Sequence, residues 1–595
     1  SVLSLVLSLV MPPISQAIAN DAQTVSAEET VTAGGSSTES TDVGNTNNGD
    51  TEKLNSSDAE NEANEDTVAP DSTADDAEAE GAAQPSDAQT SDDENSDENA
   101  IAPVSAEGYK EVKGNVAHAF DSGGKYRLSD KSQSDSQITI TADTTIDLNG
   151  NMLYHGPGSV ESFIVVQNGV TLTIEDSSAN VNDATSSVTN NPGSITNNPG
   201  QLANMAWTND APQSLTYYET TSAPKPDGLG TTETTTQHTV SGFGAIVAAS
   251  DSGSVKQVIS VADGGTLNLN GGMITTPRDL TGDGHIIFAE GKSNETHVNI
   301  NGGFITGANL NHQRGGWGGG LCVVGAKVTV NMTRGVIAAN KAAAGGGIYA
   351  EDATLNLSGG VISGNATYAN EINNGDNTGN GGYGGGVYTK GSTVTISGSA
   401  CITNNRADAR ITSSNLYNNG LLGGGGIACT NGGKLTMTGG SVTANYSHEA
   451  GGGIYAGFYN QGINFTMSGG FIAGNTSDNA EGGGLRISSG TTGVIEAASA
   501  SNKVYITNNK TMTGSTTGRG GDWGGGGVFV QTAGTLNLRM ALITKNDAGG
   551  WGGGIGACPT GQTIVTHTNG SAIYANTDHG EHSSAGGNGK NKDSQ

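Results

Sequence analysis

Aromatic residues make up only 5% of this 595-residue chain, too few to fill one large globular core. Positive charge is also scarce, with 26 Lys and Arg against 58 Asp and Glu. The resulting formal charge of −32 disfavours nucleic acid and anionic lipid surfaces as partners. No apolar run approaches the roughly 20 residues that a membrane-spanning helix requires. Four cysteines, at 322, 401, 429 and 558, are too scattered to frame a disulfide-stapled domain. What the chain has in excess is glycine, 95 residues of it.

Much of that glycine is periodic. A glycine triplet followed by an aliphatic residue occurs at 318–321, 345–348, 384–387, 424–427, 451–454, 482–485, 525–528 and 552–555. Each copy is answered downstream by an aliphatic residue and, three positions later, an asparagine: Asn340, Asn365, Asn405, Asn445, Asn475, Asn509, Asn546 and Asn576. A two-part phrase repeated this often marks an internal repeat, and stacked repeats void any domain count based on length. Cys322 and Cys429 fall at similar places three repeats apart, or ~14 Å at ~4.8 Å per strand. A disulfide spans Cα atoms only within about 7 Å, so buried free thiols are expected.

In chain order, residues 1–19 resemble the end of a secretory signal, with an apolar run from Val2 to Met11 and a small-x-small site at Ala17-Ile18-Ala19. Residues 20–105 carry 23 acidic residues against the single Lys53 and no aromatic, which predicts a disordered acidic spacer. Alternating strand signals begin near Tyr109, so 106–178 is expected to form N-terminal strands or capping rungs. A long polar insertion, 179–240, includes a tandem TNNPG and predicts a protruding loop or an unfolded excursion. Residues 241–576 hold the β-helix repeats and 577–595 a polar tail. Without an initiating Met or a C-terminal anchor, the chain reads as a fragment.

The clearest unit, residues 345–365, holds three short strand-like pieces around Ile348-Tyr349, Leu355–Leu357 and Val361-Ile362. Helical spacing is absent, and glycine in a helix costs about 1 kcal/mol per residue. Each piece buries one or two side chains, so only stacked copies make a core. Leu357, Ile396, Met437, Met467 and Leu538 should align in one aliphatic column. The triplets allow turns with positive φ, and the asparagines suit a stacked amide ladder. The expected fold is all-β, a right-handed parallel β-helix of about 10–12 rungs after a disordered acidic segment.

The phrase GGG[ILV]…[IV]xxN resembles the repeat of the polymorphic outer membrane proteins, best in Gly346-Gly347-Ile348 with Ile362-Ser363-Gly364-Asn365. Gly452-Gly453-Ile454 with Ile472-Ala473-Gly474-Asn475 matches equally well. It is also similar to the pectin-lyase-like β-helix regions of adhesin-like bacterial surface proteins. Here Gly replaces the family's Ala, and Ile or Val replaces its Phe. The resemblance implies a secreted or cell-surface, adhesin-like stalk; with the inserted loops gathered on one face, glycan affinity is expected there, and a host or matrix glycan or protein as partner. A carbohydrate-active enzyme, a lyase or hydrolase on the same fold, is the alternative. A monomer is expected, with membrane attachment only through an anchor outside this chain.

Candidate chemistry lies just before the triplets. Trp317, Tyr383, Trp523 and Trp551 put an aromatic there, with Asp522, Asp547 and Arg314 nearby. Such a row could stack sugar faces, or it could pack across glycine backbone. The long linkers 366–383, 406–423 and 510–524 should emerge on the same side. No catalytic residue is assigned. Gly284-His285-Ile286 is the only approach to a pectin-degrading motif, and the repeat region has no Asp-Asp pair. No cofactor is expected. The oxygen-rich run at 373–382 offers ligands of the kind Ca²⁺ takes but matches no EF-hand or nonapeptide calcium repeat. The stretch Asp578–His582 has transition-metal donors at a polar chain end.

Overall fold

The computed structural model describes residues 108–190, 200–248, 255–280, 284–310, 316–369, 371–372, 381–411, 422–458, 461–499, 502–512, 523–558, 564–568 and 571–579. All belong to one compact unit, Glu94–Gln595. The signal-like start and the acidic spacer lie outside the described residues.

These residues form a parallel β-helix, and no helix occurs among them. Each rung gives one strand to a 12-stranded sheet that runs from Ile138–Ile140 to Ile555–Ala557. It then gives two more strands, such as Thr354–Leu357 and Val361–Ser363, to a 26-stranded sheet. Inside and outside alternate within each strand: Leu355 and Leu357 are buried, whereas Thr354 and Asn356 are half-exposed. The aliphatic column runs Leu357, Ile396, Met437, Met467, Ile495, Leu538, so Ile495 fills the place left blank in the expected series. The strands between Lys110 and Glu175 join these same sheets.

Three strand pieces per repeat proved one too few. Each of the eight asparagines is followed at once by a two-residue strand, from Lys341–Ala342 to Thr577–Asp578, and the eight form a sheet of their own. Here the two halves of the repeated phrase meet. A Cβ built on Gly346 would fall 2.6 Å from Gly385 O and closer still to Ala366 O. One on Gly347 would lie 2.7 Å from Gly386 O and 3.1 Å from the Asn365 amide nitrogen. The start and end of one coil therefore touch through backbone, and only glycine fits between them.

The asparagine amides form an unbroken ladder. Asn340 donates to Asn365, 365 to 405, 405 to 445, 445 to 475, 475 to 509, 509 to 546 and 546 to 576, each at 2.9–3.0 Å. The second N–H of each amide goes to a carbonyl of the preceding rung, as Asn405 does to Ile362 O at 2.9 Å. Each oxygen also accepts the backbone N–H of the previous asparagine, as from Asn365 to Asn405 at 3.1 Å. Every buried amide of the ladder is thus satisfied on both sides. A second, half-exposed ladder joins Asn268, Asn299, Asn331 and Asn356 at 2.9 Å.

The residue before each ladder asparagine adopts a left-handed conformation, including Ala339, Asn404, Ala444, Asn508, Lys545 and Ala575 at φ 52–57°. For a lysine this costs about 1 kcal/mol. Lys545 is exposed, and the nearby Lys225 holds its ammonium pKa below the usual value. Lys545→Gly is therefore expected to stabilise the solenoid by about 1 kcal/mol, read as a higher thermal midpoint. A lower midpoint would show that the strain is relieved elsewhere.

The polar insertion corrects the expectation of a protruding or unfolded loop. It leaves between Thr171–Glu175 and Ala245–Ala248, the turn where other rungs have only a few residues. Its strands Asn182–Asn190, Asn204–Thr208, Ala211–Pro224 and Thr231–Ser241 make a four-stranded antiparallel sheet. That sheet lies on a column of small side chains in register: Thr306, Ala338, Ser363, Thr403, Thr443, Ala473, Thr507 and Thr544. Ser363 Oγ donates to Tyr218 O at 2.5 Å, and Thr443 Oγ1 donates to Thr220 O. The Thr220 N–H in turn donates to Thr403 Oγ1 at 3.3 Å. Further along, Asn508 Nδ2 donates to the buried Glu233 at 2.9 Å. The hydroxyl column supplies the partners that let so polar a segment order.

The thiols are free, as expected, but Cys558 is only half-buried. Cys322 and Cys429 are not equivalent. Cys322 pairs in register with Tyr349 and Cys429 with Thr389, one residue further along the strand, so the two face opposite sides of the sheet.

Candidate functional site

The outer face of the 12-stranded sheet carries a column in register: Phe288, Cys322, Tyr349, Tyr388, Ala428, Tyr455, Arg486 and Phe529. Side chains from before the triplets lean over it. Trp317 lies 5.0 Å from Tyr349 between ring centroids, and Tyr383 lies 5.2 Å from Tyr388, 6.0 Å from Phe458 and 6.1 Å from Tyr455. Together they make a second apolar cluster outside the solenoid core.

That arrangement corrects the expected sugar platform at Tyr383. Its ring fills the gap above Ala428 and is 5% exposed, so it offers no face to a ligand. Trp551 packs on backbone, since a Cβ on Gly524 would fall 2.6 Å from its ring. Trp523 stands two residues before its triplet rather than one, and its carbonyl accepts bonds from Thr511 Oγ1 at 2.7 Å and Gly550 N at 3.0 Å. Trp317, Trp523 and Trp551 are half-buried. Asp547 belongs to the eight-stranded sheet, where it pairs with Lys510 at 3.5 Å and His579 at 2.7 Å. Asp522 and Arg314 lie outside the described residues, as do 373–380 of the oxygen-rich run and the central parts of the long linkers. His285 is buried, its Nδ1–H donates to Gly318 O at 3.0 Å, and burial holds its imidazole pKa down to about 4, which fits a neutral packing histidine. No group of three potential metal ligands occurs among the described residues.

Two features escaped the sequence. One is a cluster at the edge of the aromatic face, on the short linkers after Asn445 and Asn475. Glu449 is fully buried, and Ile411 N donates to its Oε1 at 2.9 Å. Burial pushes its carboxyl up to about 8, and the charges of Glu481 and Asp478 push the same way. Arg486, 4% exposed, stands 3.9 Å from Glu481 and bonds Gln531 at 2.6 Å. Nearby, His448 faces Asp478 at 3.3 Å.

The other is an open cleft of about 290 Å³ where the inserted sheet meets the ladder corner. Strand Asn204–Thr208, with Met205 and Trp207, forms one wall. Gly307, Ala308, Ala339 and Gly364 form the floor, and Asn309 and Lys341 the far wall. The segment is fixed there by Ala203 N donating to Gly364 O at 3.2 Å and Gly200 N to Ala444 O at 2.8 Å.

No protein-family model matches this chain, and no curated protein does. Among solved structures, it is similar to the Gp54 tailspike of Acinetobacter baumannii bacteriophage AP22, determined in complex with A. baumannii capsular saccharide. The identity is 8% and the TM-score 0.21, over 78% of this chain and 74% of the tailspike. A likeness that slight carries no functional argument. The class rests on the chain's own strands, which make it an all-β parallel β-helix built from repeats. Placement beyond that class is a matter of the site.

Proposed function

We propose that this chain is a secreted, surface-displayed and adhesin-like β-helix that binds a glycan beside its inserted sheet. The cleft at Trp207 carries the reading: it is open and pairs an aromatic face with amide and ammonium groups, the mixture that sugars require. The signal-like start, the acidic spacer and the resemblance of the repeat to polymorphic outer membrane proteins support display outside the cell. Ladder, glycine stack and inserted sheet give a rigid support for such a site. A glycan array paired with a reducing-sugar assay tests it. Binding without release of product is the expected result, and silence across the array would remove the proposal.

The second reading, a carbohydrate-active enzyme, is favoured by one observation. A carboxyl held protonated at neutral pH beside further carboxylates is how a general acid and its partner are arranged. Against it stands the complete burial of Glu449. Saccharide cleavage that disappears in Glu449→Gln would establish this reading in place of the first.

A further inference from the structure

We infer that the cleft beside Trp207 takes an acidic saccharide, with Trp207 stacking on a sugar face and Lys341 meeting the sugar carboxylate. The inference rests on the glycan-binding reading and names its ligand class. The charge pattern carries it. In a chain with more than twice as many acidic as basic residues, this cleft is lined by one lysine and no carboxylate. Lys341 Nζ lies 4.6 Å over the Tyr368 ring and has no carboxylate partner among the described residues. The acidic groups around the rim are committed elsewhere. Asp279 accepts from Asn309 Nδ2 at 2.6 Å, and Asp210 pairs with Arg278 at 2.7 Å.

The same bonds hold the far wall in place. Tyr368 Oη donates to Asn309 Oδ1 at 2.6 Å, so the ring under Lys341 and the amide beside it are fixed together. Among the described residues the Asn309 amide uses one N–H on Asp279 and one lone pair on Tyr368, which leaves a second of each for sugar hydroxyls. The Asn340 amide, though it lines the cleft, is spent on the ladder through Ile305 O, Asn365 and Ala308 N. Small residues on the floor let a ring approach the backbone. Trp207 is half-buried against the Val336 and Ala338 cluster, which presets its orientation. The volume matches the lower end of small-ligand sites, room for about one or two sugar rings.

The test uses the full chain, calorimetric titration with a hexuronic acid oligosaccharide, and its carboxyl-reduced neutral counterpart. Wild type should prefer the acidic probe. Trp207→Ala should weaken binding of both at least about tenfold. Lys341→Gln, which keeps the backbone pairing with Ala366, should erase the acidic preference, a loss of about tenfold, and Lys113→Gln should not. A sulfated oligosaccharide that binds as tightly would overturn the carboxylate assignment. Equal binding of acidic and neutral probes, both lost in Trp207→Ala, would overturn the acidic class and leave the cleft. Glycan binding indifferent to both substitutions would overturn the cleft while the glycan-binding reading stands. No binding to any glycan removes both.

Discussion

Asn405→Asp should destabilise the solenoid by about 4 kcal/mol or more, although the two side chains are nearly the same shape. Asn405 is fully buried in the middle of the ladder. Its amide nitrogen donates to Ile362 O and to Asn445 Oδ1, at 2.9 and 3.0 Å. Aspartate has only acceptors to offer there, so a carboxylate oxygen would face two others without a proton between them. Protonation can rescue one of those bonds, and the deficit should narrow at low pH. The backbone N–H and amide of Asn365 keep their acceptor, so the loss isolates donation. Asn576→Asp offers the comparison: half-buried at the last described step of the ladder, it should cost nearer 1 kcal/mol. Denaturant midpoints at pH 5 and 7.5 measure both. A variant that melts with wild type would show the ladder to be decoration.

Glu449 gives the second large effect, and it depends on pH. Its carboxyl keeps a proton up to about pH 8 in the folded chain, because burial outweighs the Ile411 N–H and the Asn479 amide that favour the anion. Unfolded, it ionises in the ordinary carboxylate range. Between these limits the unfolded chain holds fewer protons, so stability is full in acid and falls as pH rises through about 8. The slope approaches about 1.4 kcal/mol per pH unit, and the loss across the window is on the order of a few kcal/mol. Glu449→Gln keeps an acceptor for Ile411 N and cannot ionise. It should match wild type near pH 4.5 and exceed it by a few kcal/mol at pH 8.5. Parallel stability curves for the two proteins would show the carboxyl to be ionised already at neutral pH.

Much of the fold was open to inspection in the sequence, for a physical reason. A rung buries too little alone, so the same solution recurs and leaves a period in the text. Gly345–Gly347 and Asn365 are read together because they touch, and the touching repeats in every coil. The half-exposed ladder from Asn268 to Asn356 was equally visible in the alternation L-N-L-N, yet alternation marks only the outward face and not the amide pairing along it. The two-residue strand after each asparagine is too short to show alternation in the sequence: its second position is small and buried at Ala342, Thr367, Ser447 and Ala548, but its first ranges from Lys341 to Tyr446.

The site was a different matter. Trp317, Tyr383, Trp523 and Trp551 looked like one row because they share a place in the repeat. Whether such a ring is open depends on its neighbours across rungs: Ala428 leaves a gap, and Tyr383 falls into it. Trp207 carries no signal in the sequence because it lies in the segment with no period. Glu449 is ordinary in sequence and becomes unusual only through its burial, where its one backbone donor, Ile411 N, is thirty-eight residues away.

The sequence by itself determined the repeat, the parallel stacking and the all-β class, since these follow from local spacing repeated in register. Tertiary structure alone decided that a polar insertion would fold along a threonine column, and that Trp207 would stand across a cleft from Lys341. Those contacts join residues more than a hundred positions apart, occur once rather than in every rung, and so leave no pattern to be read in advance.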